Sequence, residues 1–416
     1  MYDLLLKKAR LLGSGEGLWD IGIRGDLIAE IDQNLGEEAE KVFNLNGKLV
    51  IPAFVDVHTH LEKTLTAHLI DNKSGTLDEA INNFQEFLIH VSPEDIYKRA
   101  RLATEMAIKQ GTTALRSHIT VDPLRGLDLL QPILELKKDL RDVLTIQVVA
   151  FPGIDPTGIK QSQLELLQAA VFQGADLIGG CPSLDPDHRR FTDLLFTLGK
   201  ELDVDIDLHV DESDQPNVEA LEYLADKTIS EGYEGRVTAG HCCALSVVSD
   251  QWAERVIQKI KRARINIVTL PSCNLFLTGA ITRVRSLMAA GVPVSYASDN
   301  IRDPFRPFGN GDLLEEALLT AQVTQRGTLG ELEEILKMGT YNPAKVMCLE
   351  KYGLKSGCYA DLIVLQAASP MEAIVSQAVK EMIFHRGQLI VTNSRQTSEL
   401  WKTLGNSDKG INYGIS

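Results

Sequence analysis

The chain has no cysteine framework. Its six cysteines are Cys181, Cys242, Cys243, Cys273, Cys348 and Cys358; none forms a CxxC pair, and the one close pair is the adjacent Cys242-Cys243. A zinc knuckle or disulfide scaffold is therefore unsupported, and a reducing cytoplasm is the expected setting. Long apolar runs are lacking too, so no segment approaches the roughly 18 residues of a membrane span, and no membrane partner is expected. The opening MYDLLLKKARLLGSGEG lacks the charged-then-apolar order of a signal peptide and reads as a strand. Positive charge is in short supply: 42 Lys and Arg face 57 Asp and Glu, for a net charge of −15. Nucleic acid binding needs a basic face that displaces counterions, and no Lys/Arg cluster offers one. Internal repeats, low-complexity tracts and long linkers are also missing.

What is present is globular. Hydrophobic content of 44% and charged content of 24% lie near the average of folded domains. The 416 residues exceed one minimal domain and suit a barrel of about 250 residues with a satellite. The first fifty residues alternate as short strands, YDLLLKKARLL, LWDIGIRGDLIAEIDQ and KVFNLNGKLVIP, punctuated by the hairpin-type dipeptides Gly25-Asp26 and Asn46-Gly47. A second β-rich patch, ADLIVLQA and KEMIFHRGQLIVTN, lies near the far end and is expected to pair with the first. Between them stand eight short β-branched runs: 54–60, 113–119, 144–151, 175–182, 204–212, 235–241, 265–271 and 292–299. The segments between them, such as SPEDIYKRARLATEMAIKQG and DQWAERVIQKIKRAR, have helical i, i+3, i+4 apolar spacing. Eight strands alternating with helices predict a parallel sheet closed into a barrel. The expected fold is α/β, a (β/α)₈ TIM-type barrel with a small β-sandwich built from both chain ends. The expected boundaries are 1–53 and 346–416 for sandwich and tail, and 54–345 for the barrel.

Polar chemistry gathers at the carboxyl ends of these runs: His58 and His60, His118, His209 followed by Glu212, His241, and Asp299. In a barrel all such ends lie on one face, where the loops build the active site. Residues i and i+2 on a strand point to the same side, so His58 and His60 can both face the barrel mouth. With His209 and the Asp299 carboxylate they offer one divalent ion a mixed nitrogen and oxygen shell with room for water. Such donors suit Zn²⁺ or Fe²⁺, and the absence of thiolate argues against a structural zinc site. For His118, a place at the site border and a hydrogen bond inside the barrel weigh equally. His68, His90, His188 and His385 lack supporting neighbours and read as structural or exposed.

The ordered motifs HTHLEKT, LHVDE, AGH and SDN resemble the amidohydrolase superfamily, and within it the cytosine deaminase-like group with a single metal. The likeness spans nearly the whole chain: IPAFVDVHTH resembles that family's passage from sandwich to first strand, and TYNPAKVMCLEKYGLKSGCYADLIVL its return. The resemblance implies His58, His60, His209 and Asp299 as metal ligands, Glu212 as the proton-shuttling acid and His241 as the residue that orients the attack. Where binuclear members carry a bridging lysine, ADLIGGCP offers Cys181, which implies one metal. Hydroxide formed at a bound cation would attack a ring carbon, since a cation lowers the pKa of water toward about 7. The departing nitrogen needs a proton, which Glu212 is placed to give. Asp299 can take the water's proton while it holds the metal.

Substrate-binding positions also follow from the resemblance. Gly153 stands where cytosine deaminases carry glutamine, and Asn300 where they carry a second aspartate. Phe305 matches their aromatic residue, and Leu77 an apolar residue above the ring. Lys63 stands where classical cytosine deaminases have an uncharged residue; in this and in the Asp-Asn pair the chain is more similar to triazine-directed members such as N-isopropylammelide amidohydrolase. The implied function is deamination of cytosine or a related pyrimidine or triazine with release of ammonia, on a more oxygenated ring than cytosine itself. The alternative is hydrolysis of a cyclic amide or an N-alkyl amine in the same site. A catalytically dead scaffold is disfavoured, because every matched ligand and proton-transfer position is filled. The expected partner is a small heterocycle, and homo-oligomerisation is left open.

Overall fold

The structure, a computed structural model, describes residues 1–36 and 38–394; the last part of the expected 346–416 unit, residues 395–416, lies outside the described residues. Two eight-stranded sheets organise it. The first is built from both ends of the chain. Its strands are β1 (Tyr2–Leu11), β2 (Trp19–Arg24), β3 (Leu27–Asp32), β4 (Ala39–Asn44) and β5 (Leu49–Pro52), joined by three late strands. The second runs β6 (Phe54–Thr59), β7 (Thr112–Val121), β8 (Thr145–Pro152), β9 (Leu177–Gly180), β10 (Asp205–Val210), β11 (Val237–His241), β12 (Asn266–Thr269) and β13 (Val294–Tyr296). The late strands are β14 (Leu362–Leu365), β15 (Lys380–His385) and β16 (Gln388–Thr392).

The strands β6 to β13 pair in sequence order, every pair parallel, with helices in the connections. Each falls on one of the eight apolar runs. The ring closes at its upper rim, where Thr59 and Asp299 form a parallel bridge and the Asp299 N–H donates to the His58 carbonyl at 2.9 Å. The fold is therefore a (β/α)₈ barrel. The helices begin where capping predicts. Ser92 accepts from the Asp95 N–H and precedes Pro93 at the start of helix Pro93–Lys109; Ser249 caps helix Asp250–Ala263 in the same way. Their apolar faces join the barrel's outer wall in one large core, with Ile96, Ala100 and Ala103 from the first helix and Val256, Ile257 and Ile260 from the second.

β1 spans both layers of the smaller unit. It pairs with β2 and β4 through its first half and with β5 through Arg10 and Leu11, bending at Lys8, whose φ is 56°. β5 then pairs antiparallel with β14, matching Pro52 to Leu362, so the two chain ends share a sheet. A separate core fills the space between the layers, with Leu6, Ile21, Ile23, Leu362 and Phe384 fully or almost fully buried. Gly25-Asp26 makes the two-residue hairpin its sequence predicts, joining β2 to β3 with Arg24 opposite Leu27. Asn46-Gly47 does not make a hairpin. It links β4 and β5, both of which lie parallel to β1, and the Leu45 and Gly47 N–H groups donate to Lys7 and Lys8 of that strand. Among the described residues, no helix is long and apolar enough to cross a membrane.

Candidate active site

The carboxyl ends of the barrel strands converge on one cavity, whose space between atoms, open solvent included, is about 660 Å³. His58 lies on β6, with its ring inside the barrel, and His60 follows the end of that strand. Gly240 of β11, opposite His209 in register, makes room for the His58 ring: a Cβ there would lie 3.0 Å from His58 Cε1. The Nε2 atoms of His58 and His60 lie 3.2 and 3.0 Å from that of His209. Asp299 Oδ1 is 3.4 Å from His60 Nε2 and 3.7 Å from His58 Nε2. Ligands held 2.0–2.1 Å from a common tetrahedral centre stand about 3.3 Å apart, close to these separations.

The chemistry of these donors fits a cation. Both Asp299 oxygens are buried without a hydrogen-bond partner, an arrangement costly for a carboxylate that faces only protein. Burial first, then the neighbouring imidazoles and the Lys63 charge, hold His58, His60 and His209 well below the ordinary imidazole value. They are neutral at physiological pH, as ligation requires.

Beside this cluster stand Glu212 and His241. Glu212 Oε1 lies 3.3 Å from His241 Nδ1, and burial pushes its carboxyl up to about 7, the Asp299 charge adding to the effect. Such a group carries a proton close to neutral pH. His241 Nδ1 is also 3.0 Å from Asn274 Oδ1, and Nε2 has no protein partner. Two acceptors facing Nδ1 place the imidazole proton there and leave the Nε2 lone pair free. Three residues turn the chain in the left-handed region at these strand ends: Asp211 at φ 49°, His241 at 67° and Asp299 at 57°.

Every residue singled out as a substrate contact lines the cavity: Lys63, Leu77, Gly153, Asn300 and Phe305. Lys63 is 9% exposed, and its ammonium sits 4.4 Å from the Phe305 ring centre and 5.6 Å from that of Phe84. It makes no ion pair among the described residues. Asn300 Nδ2 donates to Asp303 at 2.6 Å, so that end of its amide is held by protein. Leu77 opens helix Leu77–Leu88, whose Leu77, Ile81, Phe84 and Leu88 form the apolar side of the cavity. His118 is fully buried inside the barrel, its ring 4.2 Å from that of His58, and it does not line the cavity. His68 and His90 are exposed, whereas His385 is buried with Nδ1 3.0 Å from Asp361. Sequence reasoning missed Gly240, Asn274 and Asp122. Asn274 had a signal, since it lies just past the seventh run in LPSCN; the other two act through neighbours on adjacent strands.

A barrel that gathers three neutral imidazoles, an unpartnered carboxylate and a proton-bearing glutamate at one mouth defines a metal-binding hydrolase. The pattern of the amidohydrolase family matches residues 49–389, and the chain belongs to that family. It is a hydrolase of carbon–nitrogen bonds. Over 401 residues it is 34% identical to the N-isopropylammelide isopropyl amidohydrolase of Pseudomonas sp. strain ADP, covering 94% of this chain and 97% of that one. The fold matches the 5-methylcytosine deaminase of Klebsiella pneumoniae liganded with 5-fluorocytosine, with a TM-score of 0.89 and 29% identity over 95% of this chain and 99% of that one. It matches the N-isopropylammelide isopropylaminohydrolase of Burkholderia multivorans with a TM-score of 0.84 and 26% identity, over 94% of this chain and 99% of that one.

Proposed function

We propose that the protein hydrolyses an exocyclic carbon–nitrogen bond of a small, oxygenated nitrogen heterocycle, a pyrimidine or triazine, with one divalent Zn or Fe ion. The observation that carries this reading is that His60, His209, Asp299, Glu212 and Lys63 line a single cavity, with the buried His58 against His60 and Asp299 behind them. Those four residues would hold the ion, which when bound supplies Lewis acidity and lowers the pKa of water toward about 7. The other groups handle substrate and protons. Lys63 offers only donors and charge, so it favours a ring edge bearing oxo groups or negative charge. Phe305 and the apolar helix face exclude water and cover the ring. Glu212 gives its proton to the departing nitrogen, which leaves poorly as an anion. His241, held through Nδ1, turns Nε2 toward the reacting centre.

The leaving group is ammonia in the first reading. A second has support: the 34% identical relative is an N-isopropylammelide isopropyl amidohydrolase, whose substrate carries an N-alkyl group, and the apolar helix face would receive an alkyl substituent. The test loads the protein separately with Fe²⁺, Zn²⁺ and Mn²⁺ and screens amino- and alkylamino-substituted pyrimidines and triazines. Ammonia and alkylamine are quantified separately, and oxygenated rings are expected to exceed cytosine in kcat/KM. Release of neither amine from any ring would refute the proposal, and a clear preference for cytosine would refute its specificity.

A further inference from the structure

We infer that Asp122 reads one edge of the substrate ring and selects rings that present a hydrogen-bond donor there, an N–H or an amino group. The inference rests on the reading of the cavity as a heterocycle hydrolase site. β7 and β8 are paired in register as far as Val121 and Pro152, so Asp122 and Gly153 emerge side by side at the cavity wall. The Gly153 backbone is fixed on both sides. Its N–H donates to the Val121 carbonyl at 3.2 Å, and its own carbonyl accepts from Gln163 Nε2 at 2.5 Å. A Cβ on Gly153 would fall 2.9 Å from Asp122 Cβ, well inside the roughly 3.5–4.0 Å at which non-bonded carbons rest. The corner accommodates one side chain, and Asp122 provides it.

The Asp122 carboxylate is oriented before any ligand arrives. Oδ1 accepts from the Leu124 N–H at 2.8 Å and the Arg125 N–H at 2.9 Å, which fixes the plane of the group. Oδ2 lies on the Gly153 side, 3.5 Å from the position a Cβ would take, and accepts no hydrogen bond among the described residues. An ionised carboxylate only accepts, and an ammonium only donates. Asp122 and Lys63 therefore impose opposite demands on a ring that touches both. The matching substrate class is a lactam-type heterocycle, with an oxo group toward Lys63 and a ring N–H or amino group toward Asp122. A ring alkylated or bearing a lone pair at the second edge leaves Oδ2 desolvated and unpaired.

The test compares metal-loaded wild type with Asp122→Asn on pairs of oxo-heterocycles that differ by methylation of one ring nitrogen. The introduced amide keeps an oxygen for the Leu124 and Arg125 N–H groups but turns the open atom into a donor. For the N–H ring, kcat/KM is expected to fall about 10- to 100-fold, mostly through KM, because a group covered by the bound ring is left mispaired. The N-methylated ring, already poor with wild type, should lose little more, and the melting temperature should stay within about 2 °C of wild type. Calorimetric titration with the same rings reads the preference without turnover. An N–H preference that Asp122→Asn abolishes sustains the assignment even if neither protein releases an amine, a result that would sink only the catalytic reading. Equal affinities and rates in the two proteins, or no binding of any ring, overturn it.

Discussion

Two residues of the proposed chemistry, His241 and Asp299, and Asp211 just before Glu212, are held in uncommon backbone conformations. Asp211, His241 and Asp299 all have positive φ, and each non-glycine residue in such a region costs on the order of 1–3 kcal/mol. The surrounding structure holds them there. The His241 carbonyl accepts from Thr282 Oγ1, the Asp211 N–H donates to Ser183 Oγ, and the Asp299 carbonyl accepts from Thr59 Oγ1. His241, Asp299 and Glu212, the residue after Asp211, all line the cavity. Glu212 depends on this arrangement, because the Asp211 turn sets the direction in which it leaves β10. Glu212→Gln preserves shape but cannot carry a proton, so kcat should drop by about 10²–10⁴-fold while metal content stays at the wild-type level. Activity within a few-fold of wild type would remove Glu212 from the proton path. The cluster residues were legible in the sequence because histidines and acids recur at strand ends, a pattern chance rarely repeats. Asp122 and Gly240 were not, since their parts depend on which residue stands beside them on the next strand.

At the scale of elements, the barrel strands carry a second polar layer beneath the histidines. Arg116 and Asp207 lie two residues before His118 and His209, so all four side chains point inward. Arg116 Nη1 donates to Asp207 Oδ2 at 2.6 Å, and Nη2 donates to the Val346 carbonyl at 3.0 Å, tying β7 to β10 and to the end of helix Tyr341–Val346. Both side chains are essentially inaccessible. Removing one partner leaves a buried charge uncompensated, so Arg116→Ala should lower unfolding free energy by about 3–5 kcal/mol in urea titration. The paired change Arg116→Met with Asp207→Leu should cost less than the single one; a single change costing under about 1 kcal/mol would contradict the account. The eight barrel strands could be read from sequence because parallel strands covered on both faces are continuously apolar. The pairing of β4 and β5 could not. A dipeptide such as Asn46-Gly47 signals a turn, but what the turned chain then pairs with depends on β1.

For the molecule as a whole, the proposed ligand cluster stands where the barrel closes. His58 and Asp299 come from the first and last barrel strands and their termini, which meet through the bridge at Thr59. A cation bound there joins the two edges of the sheet, and a ligand that binds only the folded state stabilises it by about 2.7 kcal/mol at a hundred times its Kd. Stripping metal with a chelator should therefore lower Tm by several degrees, and adding back the ion should restore it. In His58→Ala the bound metal should fall and the Tm response to chelator should vanish. Full metal occupancy in that variant, by elemental analysis, would argue against the assigned ligand.

The strand pairing between the two chain ends bears on how the protein is made. β1, β4 and β5 are complete once the first fifty or so residues exist, but the free edge of β5 has no partner until β14 is synthesised. Pro52 waits for Leu362, a separation of 310 residues, which takes a ribosome roughly 15–60 s to cover. Through that interval a short, fully apolar strand presents unpaired backbone groups, the usual template for association between chains. The barrel can assemble meanwhile, strand by neighbouring strand, with strand contacts local in sequence except the closing one between Thr59 and Asp299. The smaller unit is thus begun first and finished last, and its long-range closure is the step that loop-closure entropy slows most.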